Sequence, residues 1–397
     1  MTGVVIVGGS VGGLTAAREL RAQGYGGELT IIDADPMAPY RRPTLSKGFL
    51  DGTVTDARLA LPWPGEMDIV RVQPARADRV DFEARVVEVH GDSGPDVVPF
   101  DTLIVATGSL ARPLEVPGAR HYSRTLRGLQ DAITMRTALA QAHDVVIVGA
   151  GFLGLEIASV GREHGRSVTV LEAADRPLER VAGSDVGSFV AALHDRHGVQ
   201  IRCRTQVAEV ASDGDSCRVR CTDGTEVSAD LLVAAVGSLI DTSWLRGSGA
   251  DVGAGVSCDG HGRIMDEQGA VIPGAYAIGD VAAWWNPLYE RRMRVEHWTN
   301  AIEQGRHVAG VIVGRDQPEF ASAPYFWSEQ YDARIHSIGS TLEFDEVRVL
   351  QRDEEHLLVA YGRSGSLVCV TGINVPAVLQ QYRPMVEART PMHDVHG

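Results

Sequence analysis

The sequence predicts an α/β fold with two Rossmann-like dinucleotide-binding domains and a small α+β domain at the C-terminus. The first observation is an apolar run, Val4–Val7, which recurs as residues 145–148, and a glycine closes each copy. The second is a helical pattern and a further apolar run after each copy, ending in Asp33 in one case and Glu172 in the other. Such runs are typical of parallel strands buried on both faces, so each copy predicts a βαβ unit.

Later apolar runs predict how the chain is divided. Residues 103–108 and 231–237 each end in glycine and are expected to include the closing strands of the first and second domains. Residues 275–280 come after the second domain, which indicates that the chain returns to the first. Strand-like runs at 346–350 and 356–360 predict the C-terminal domain. The predicted boundaries are 1–110 with 239–318 for the first domain, 111–238 for the second domain and 319–397 for the C-terminal domain.

The first glycine turn, residues 8–13, is typical of a diphosphate-binding site. A turn of this kind lets the backbone approach a pyrophosphate and directs N–H groups of the helix N-terminus at it. Ser10 stands where the G-x-G-x-x-G pattern has its middle glycine, so the match is degenerate. Asp33 follows Gly8 by 25 residues, a spacing that suits a ribose hydroxyl, and Asp35 is a close alternative.

The second glycine turn, residues 149–154, matches the full pattern. Glu172 ends the next strand, 23 residues after Gly149. A carboxylate there accepts hydrogen bonds from the 2′-hydroxyl of NADH and repels the 2′-phosphate of NADPH, so the sequence predicts a preference for NADH. Arg176 and Arg180 follow closely and would weaken that preference.

A third segment, residues 39–47, fits a loop that leads into a helix. Its arginines are suited to pair with the pyrophosphate or the adenosine half of FAD. Lys47 is the only lysine of the chain, and its compact ammonium is suited to stabilise negative charge on a reduced flavin ring. Asp280, after its short strand, is placed to bind a ribityl hydroxyl.

Composition excludes several classes of function. The 397 residues carry a net charge of −15, which argues against general affinity for nucleic acid. No apolar run approaches the roughly 18 residues that cross a bilayer, and the N-terminus lacks a positive leader, so we expect a cytoplasmic protein. The five cysteines begin at Cys203 and form no C-x-x-C pair or metal cluster, so the flavin domain carries no redox dithiol and no metal site is predicted.

The chemistry-bearing segments occur along the whole chain. They are residues 8–13, 39–47, 106–113, 149–156, 277–282, 295–301 and 325–331. With these segments in this order, the chain resembles the FAD-dependent NADH:ferredoxin reductases of bacterial cytochrome P450 and Rieske dioxygenase systems. The resemblance implies a glutathione-reductase-like fold with FAD-binding, NADH-binding and C-terminal domains.

The resemblance also implies roles for particular residues. Lys47 would lie beside the flavin N5 region, Glu156 near the nicotinamide and Trp327 near the isoalloxazine, and these are the predicted catalytic residues. Trp298 and its neighbours would line the other side of the flavin. Two departures are visible: Ser10 is expected to loosen the first turn slightly, and Arg41 stands where the family usually has an acidic residue.

The residues expected to bind the two cofactors come from all of these segments. They are Gly8, Ser10, Gly12, Gly13, Asp33, Asp35, Arg42, Pro43, Lys47, Val80, Ala106, Thr107, Gly108, Arg112, Asp280, Glu296, His297, Trp298, Gly149, Gly151, Phe152, Leu153, Gly154, Glu156, Glu172, Arg180, Val236 and Gly237. Simpler roles remain open for some of them. Trp298 and Trp327 could be core aromatics, Glu156 a solvated residue on a helix face, and His297 a structural hydrogen-bonding residue.

The predicted reaction passes electrons from NADH through FAD to a [2Fe–2S] ferredoxin, which serves a monooxygenase or dioxygenase. The ferredoxin would dock transiently and electrostatically, and the candidate basic surface comprises Arg41, Arg42, Arg291, Arg292, Arg294 and Arg334. The same arginines could instead be scattered solubilising charges or FAD ligands. Alternative functions are a flavin reductase of the same fold with rubredoxin, a small molecule or oxygen as acceptor, and an NADH-binding redox sensor of the apoptosis-inducing-factor type.

Overall fold

A computed structural model describes residues 3–62, 69–72, 74–92, 94–214 and 216–397, with the backbone alone for 70–72. The described strands are β1 (Val4–Val7), β2 (Leu29–Ile32), β3 (Ile69–Val72), β4 (Ala75–Asp81), β5 (Val86–Gly91), β6 (Gly94–Pro99), β7 (Thr102–Val105), β8 (Leu110–Ala111), β9 (Ser123–Arg124), β10 (Asp144–Val148), β11 (Ser167–Leu171), β12 (Gln200–Arg202), β13 (Val207–Asp213), β14 (Ser216–Cys221), β15 (Glu226–Ala229), β16 (Leu231–Ala234), β17 (Ser238–Leu239), β18 (Val256–Cys258), β19 (Arg263–Met265), β20 (Val271–Ala277), β21 (Ala282–Asn286), β22 (Arg291–Arg294), β23 (Tyr325–Gln330), β24 (Ala333–Gly339), β25 (Glu346–Arg352), β26 (Leu357–Arg363) and β27 (Ser366–Ile373).

The described α-helices are α1 (Val11–Ala22), α2 (Asp56–Leu59), α3 (Ala119–Tyr122), α4 (Leu129–Gln141), α5 (Phe152–Glu163), α6 (Glu179–Arg196), α7 (Trp298–Ile312), α8 (Pro376–Gln380) and α9 (Arg383–Glu387). None of the helices in the described ranges is long and apolar enough to cross a membrane. The contacts between residues divide the chain into two units. Unit 1 comprises Met1–Arg41, Ala60–Leu110 and Ile240–Pro324, and unit 2 comprises Arg42–Leu59, Ala111–Leu239 and Tyr325–Gly397.

Unit 1 is built on a nine-stranded sheet in the order β22-β21-β18-β19-β20-β7-β1-β2-β3. Strand β1 pairs in parallel with β2 on one side and β7 on the other. All four residues of β1 are buried, because a central parallel strand is covered on both faces. A second, antiparallel sheet of β4, β5 and β6 belongs to the same unit. The predicted return of the chain to the first domain is present here, since β20 pairs with β7.

Unit 2 contains a second parallel sheet with the order β12-β11-β10-β16-β9. Its central strand β10 lies between β11 and β16, as β1 lies between β2 and β7 in unit 1. Because each central strand leads through a glycine turn into a helix, both predicted βαβ units are present. An antiparallel sheet of β13, β14 and β15 follows within this unit.

The end of the chain forms an antiparallel sheet with the order β23-β24-β27-β26-β25, followed by α8 and α9. The two strands that the sequence predicted here are present as β25 and β26. In the contact-based division this sheet and Arg42–Leu59 both group with unit 2. The predicted three-domain boundaries are a different division of the same chain, and they stay a prediction.

Candidate active site

The two glycine turns have the same backbone geometry. Gly8 has φ of 117° and Gly149 has φ of 103°, a region that favours glycine. A β-carbon at Gly13 would overlap the carbonyl oxygen of Gly8, and one at Gly154 would overlap that of Gly149. Each helix therefore begins very close to the strand before it, and a helix N-terminus at such a turn favours an anion such as a diphosphate.

Ser10 does not distort the first turn. It is the N-cap of α1 with φ of −83°, and Gly151, the N-cap of α5, has φ of −77°. Any residue adopts such an extended backbone, so the substitution of serine for glycine leaves the turn unchanged. A β-carbon at Gly151 would meet no atom within 4 Å, which shows that this position has room for a side chain or a ligand. Both turns fit a dinucleotide diphosphate.

Glu172 lies at the end of β11 and is buried, with only 7% of its surface exposed. Its Oε2 accepts a hydrogen bond from the N–H of Ala150 at 2.7 Å, and its Oε1 accepts one from the N–H of Ala174 at 2.8 Å. The carboxylate thus ties the second glycine turn to the loop after β11. Each carboxylate oxygen has a further lone pair, so the group is still able to accept from a ribose hydroxyl.

The equivalent acids of unit 1 differ from each other in position. The carboxylate of Asp33 lies directly against Gly9, next to the first turn. Asp35 is engaged by its own loop, because its carboxylate accepts from the hydroxyl of Tyr40 at 2.7 Å and from the N–H of Met37 at 3.0 Å. Asp33 also accepts from its loop, through the N–H of Asp35 at 3.3 Å, so it is the position of Asp33 against the turn that favours it over Asp35 as the ribose ligand.

The clearest concentration of buried charge in the described part of unit 2 is the pair of Lys47 and Glu156. Lys47 follows a 3₁₀ turn over Arg42–Thr44, and Glu156 lies on α5, two residues after the glycine turn. The Nζ of Lys47 is 2.8 Å from the Oε1 of Glu156 and donates to the carbonyl oxygen of Pro43 at 3.2 Å. Only 5% of Glu156 is exposed, so it is not a solvated helix-face residue.

Two serines complete the environment of Glu156. The hydroxyl of Ser46 donates to Oε2 at 2.5 Å, and the hydroxyl of Ser328 donates to Oε1 at 2.6 Å. Sequence reasoning missed both serines, although each lies inside a segment that carried the family resemblance. A buried carboxylate requires such donors, because an unpaired buried charge is strongly unfavourable.

Strand β23 presents its residues alternately to two faces. Ser328 and Phe326 lie on the face towards α5, where the ring of Phe326 packs edge-on against Phe152 with 4.7 Å between centroids. Trp327 lies on the opposite face, stacked with Tyr325 at 6.3 Å. Trp327 is half-buried, so it is not a core aromatic, but it does not join the cluster around Glu156. Its proposed place beside the isoalloxazine stays a prediction.

Polar residues around Asp280 form a separate group in unit 1. Asp280 accepts a hydrogen bond from the hydroxyl of Ser109 at 2.8 Å, and its carbonyl oxygen accepts from Arg294 at 3.2 Å. Arg294 also pairs with Glu296, which lowers its value as a free charge for docking. Burial lowers the pKa of His297 to about 4, and the opposing effect of Asp280 is smaller, so this histidine is neutral near pH 7.

The other predicted residues lie in two groups. The N–H of Arg112 donates to the carbonyl oxygen of Gly237 at 3.0 Å, which brings these two together, and Arg42 donates to the carbonyl oxygen of Arg127. The side chain of Val80 is in the core of unit 1, so only its backbone is available to a cofactor. Unit 1 holds Gly8, Ser10, Gly12, Gly13, Asp33, Asp35, Val80, Ala106, Thr107, Gly108, Asp280, Glu296, His297 and Trp298, and unit 2 holds Arg42, Pro43, Lys47, Arg112, Gly149, Gly151, Phe152, Leu153, Gly154, Glu156, Glu172, Arg180, Val236, Gly237 and Trp327.

Sequence profiles of two families match the chain. The profile described as pyridine nucleotide-disulphide oxidoreductase matches residues 2–305, and the profile described as reductase C-terminal matches residues 325–396. Within the described ranges, no group of three or more His, Cys, Asp or Glu residues could hold a metal ion.

Individual proteins are similar over nearly the whole length. Putidaredoxin reductase of Pseudomonas putida is 31% identical over 397 residues, which cover 98% of this chain and 92% of that protein. Rhodocoxin reductase of Rhodococcus erythropolis is 34% identical over 350 residues, which cover 86% of this chain and 79% of that protein. Among solved structures, the covalent putidaredoxin reductase–putidaredoxin complex matches with a TM-score of 0.91 at 30% identity, covering 98% of this chain and 94% of that chain.

Proposed function

The chain belongs to the pyridine nucleotide-disulphide oxidoreductase family. We propose that the buried pair of Lys47 and Glu156 assists electron transfer by placing a positive charge beside the reduced isoalloxazine. The protein is an FAD-dependent oxidoreductase that takes electrons from NAD(P)H and passes them to a ferredoxin, as its similarity to putidaredoxin reductase and to ferredoxin–NAD(P)⁺ reductases supports. The ferredoxin would be of the [2Fe–2S] kind and would supply a monooxygenase or dioxygenase. The predicted glutathione-reductase-like fold is confirmed by the same matches.

The cofactors supply the redox chemistry. When bound, FAD would supply a redox centre that is able to take up a hydride and to release its two electrons one at a time. The chain supplies two diphosphate sites, at the N-termini of α1 and α5. It also supplies a fixed positive charge, since the ammonium of Lys47 is held by Glu156 and by the carbonyl oxygen of Pro43.

Lys47 is the residue that would stabilise negative charge on the reduced isoalloxazine. The position of its ammonium is fixed before the reaction, so no reorganisation is needed when negative charge develops on the isoalloxazine. Glu156 fixes the position of the ammonium, and Ser46 and Ser328 fix the position of Glu156. The observation that carries this role is the 2.8 Å contact between Lys47 and Glu156 in a buried setting.

We propose NADH, rather than NADPH, as the reductant because Glu172 presents a carboxylate after β11. That carboxylate accepts hydrogen bonds from N–H donors and would accept one from a ribose 2′-hydroxyl, whereas a 2′-phosphate would be repelled. Arg180 is exposed and would weaken the preference without reversing it. The test is the ratio of kcat/KM values; a value for NADPH equal to or above that for NADH overturns the proposal.

The acceptor is best tested with the purified, FAD-loaded protein. NADH-dependent reduction of cytochrome c is measured with and without a panel of [2Fe–2S] ferredoxins, rubredoxin and a quinone. We expect stimulation by at least one ferredoxin that falls with added salt, since charged surfaces steer such encounters. Equal rates with a quinone alone would point to a small-molecule reductase. Slow hydride transfer with a long-lived flavin–NAD⁺ charge-transfer complex would point to a redox sensor.

The proposed location is the cytoplasm. All five cysteines are free thiols, as is usual where glutathione keeps thiols reduced. The reductant is an intracellular coenzyme. The same free thiols support electron transfer to a protein acceptor over disulphide chemistry, because no cysteine precedes Cys203 and the flavin-binding turn therefore has no nearby dithiol in sequence.

A further inference from the structure

Behind Glu156 and Ser328, unit 2 contains a line of polar side chains, those of Gln330, His194 and Tyr331, to which the proposed function gives no role. Ser328 donates to Glu156, and the Nε2 of Gln330 lies 3.3 Å from the Oγ of Ser328. The Oε1 of Gln330 lies 2.9 Å from the Nε2 of His194. The hydroxyl of Tyr331 lies 3.3 Å from the Nδ1 of His194. Ser328, Gln330 and His194 are all fully buried.

These contacts have one consistent direction. Burial lowers the pKa of His194 to about 4, so the ring is neutral near pH 7 and has one N–H donor and one acceptor. With the proton on Nε2, His194 donates to the oxygen of Gln330, and its Nδ1 accepts from the hydroxyl of Tyr331. The amide nitrogen of Gln330 then donates to Ser328, and Ser328 donates to the carboxylate.

The direction is set at Glu156, because its carboxylate can only accept and therefore takes the single hydroxyl proton of Ser328. The amide of Gln330 could be reversed by a half-turn, and its oxygen would then face Ser328 and compete with Glu156 for the serine hydroxyl. His194 could accept from the reversed amide as its other tautomer, but the oxygen of Gln330 would then face the oxygen of Ser328 with no proton between them. That loss of a buried hydrogen bond excludes the reversed orientation.

We propose that His194 and Gln330 are positioning residues that hold the Glu156 carboxylate on Lys47 through the hydroxyl of Ser328. The inference rests on the proposed function, because it assigns a role in the reductase reaction to residues that do not contact a cofactor. Hydrogen bonds in a line polarise one another, so the effect of His194 is carried to the carboxylate although the side chains of Gln330 and Ser328 intervene.

The variants His194→Phe and Gln330→Leu test the line in the full-length, FAD-loaded protein. Rapid-mixing measurements give the rate constant of flavin reduction by NADH. We expect each variant to lower that rate constant about fivefold, which is the effect of about one hydrogen bond on a barrier. His194→Gln keeps an N–H donor and is expected to restore most of the rate.

Thr371→Val is the matched control. Thr371 is equally buried and is 2.9 Å from the hydroxyl of Ser337, in the same C-terminal sheet, and the hydrogen bonds given for these two residues join them to each other and to Cys369. The control is expected to lose stability without losing the rate of flavin reduction. If His194→Phe and Gln330→Leu reduce flavin as fast as Thr371→Val, the proposal is wrong.

A second measurement is independent of activity. Urea unfolding of Gln330→Leu, Glu156→Gln and the double variant gives the coupling between the two positions. We expect the double variant to differ from the sum of the single effects, since Ser328 links the two side chains. Additive effects would overturn the proposal. An inactive wild-type protein whose variants still show coupling would contradict the proposed function, whereas an active protein with additive effects would overturn only this inference.

Discussion

Glu156 illustrates how much a single residue depends on its neighbours. A carboxylate with 5% exposure is tolerated because an ammonium and two hydroxyls contact its two oxygens. Removing one partner from such a group costs more free energy than the pair contributes, because the remaining charge stays buried. The sequence identified Lys47 and Glu156 but could not show that they meet, since they are 109 positions apart and their contact depends on tertiary packing.

The first prediction concerns Lys47→Met. We expect this variant to lower the free energy of unfolding by about 3 kcal/mol, because Glu156 remains buried without its cation. The double variant Lys47→Met/Glu156→Gln is expected to recover most of that loss, since no charge is then buried. Urea unfolding measures both. A double variant no more stable than Lys47→Met would contradict the interpretation. Flavin reduction is expected to stay slow in both.

The second prediction concerns Glu172→Gln. A glutamine can offer its oxygen to only one of Ala150 and Ala174, and its NH₂ group then faces the other N–H donor. We expect the KM for NADH to rise about tenfold, equivalent to about 1.4 kcal/mol, with a smaller change in kcat. Steady-state kinetics with NADH measures this, and Asp175→Asn, an exposed acid of the same loop, is the control. An unchanged KM would show that Glu172 does not contribute to coenzyme binding.

At the scale of secondary-structure elements, α6 contains a break that couples it to the C-terminal sheet. Gly183 has φ of 73° within the helix, and a β-carbon there would lie 3.1 Å from the ring of Tyr361. The hydroxyl of Tyr361 donates to the carbonyl oxygen of Ala182 at 2.5 Å. The first turn of α6, which carries Arg180, is therefore fixed by Tyr361 of strand β26.

The third prediction compares Gly183→Ala with Gly165→Ala. Both glycines have positive φ, 73° and 75°, but a β-carbon at Gly165 would meet no atom within 4 Å. We expect Gly165→Ala to destabilise the protein by about 1 kcal/mol through backbone conformation alone. Gly183→Ala is expected to cost about 2 kcal/mol, since it also crowds Tyr361. Equal losses in urea unfolding would mean that the contact with Tyr361 is unimportant.

Elements with a strong local pattern were predicted well. Strands β1, β2, β10 and β11 were found where the apolar runs lie, because a buried parallel strand is apolar throughout. Strand β23 was harder, since aromatic residues occur on both of its faces and no polar alternation shows which face meets α5. His194 had no signal at all, because a lone histidine on a helix does not reveal its partners.

At the scale of the whole molecule, neutral histidines in both units link stability to pH. Burial lowers the pKa of His194 in unit 2, and of His297 and His307 in unit 1, from 6.5 to about 4 in each case. The folded protein then binds fewer protons at these sites than the unfolded chain does between pH 6.5 and about 4. The contribution of these three histidines to the free energy of unfolding is therefore fully present above pH 6.5, and it is lost as the pH falls towards 4.

The fourth prediction follows from this linkage. We expect the free energy of unfolding in urea to decrease steadily from pH 7 to about pH 4.5, with an uptake of protons on unfolding. His194→Gln removes one of the three groups and is expected to make the decrease shallower. An unfolding free energy that is constant or rises over this interval would show that the histidines are not held neutral in the folded state.

The position of Glu172 has a consequence for changing coenzyme specificity by design or by natural drift. The side chain that would recognise the ribose also joins the glycine turn to the loop after β11 through two hydrogen bonds. Replacing Glu172 by a residue that accommodates a 2′-phosphate would also remove the hydrogen bonds that hold the diphosphate turn. The affinity for both coenzymes would then fall, and this loss would hide any gain in the use of NADPH. A successful switch is expected to need a compensating polar residue near Ala150 first, which makes the order of substitutions matter.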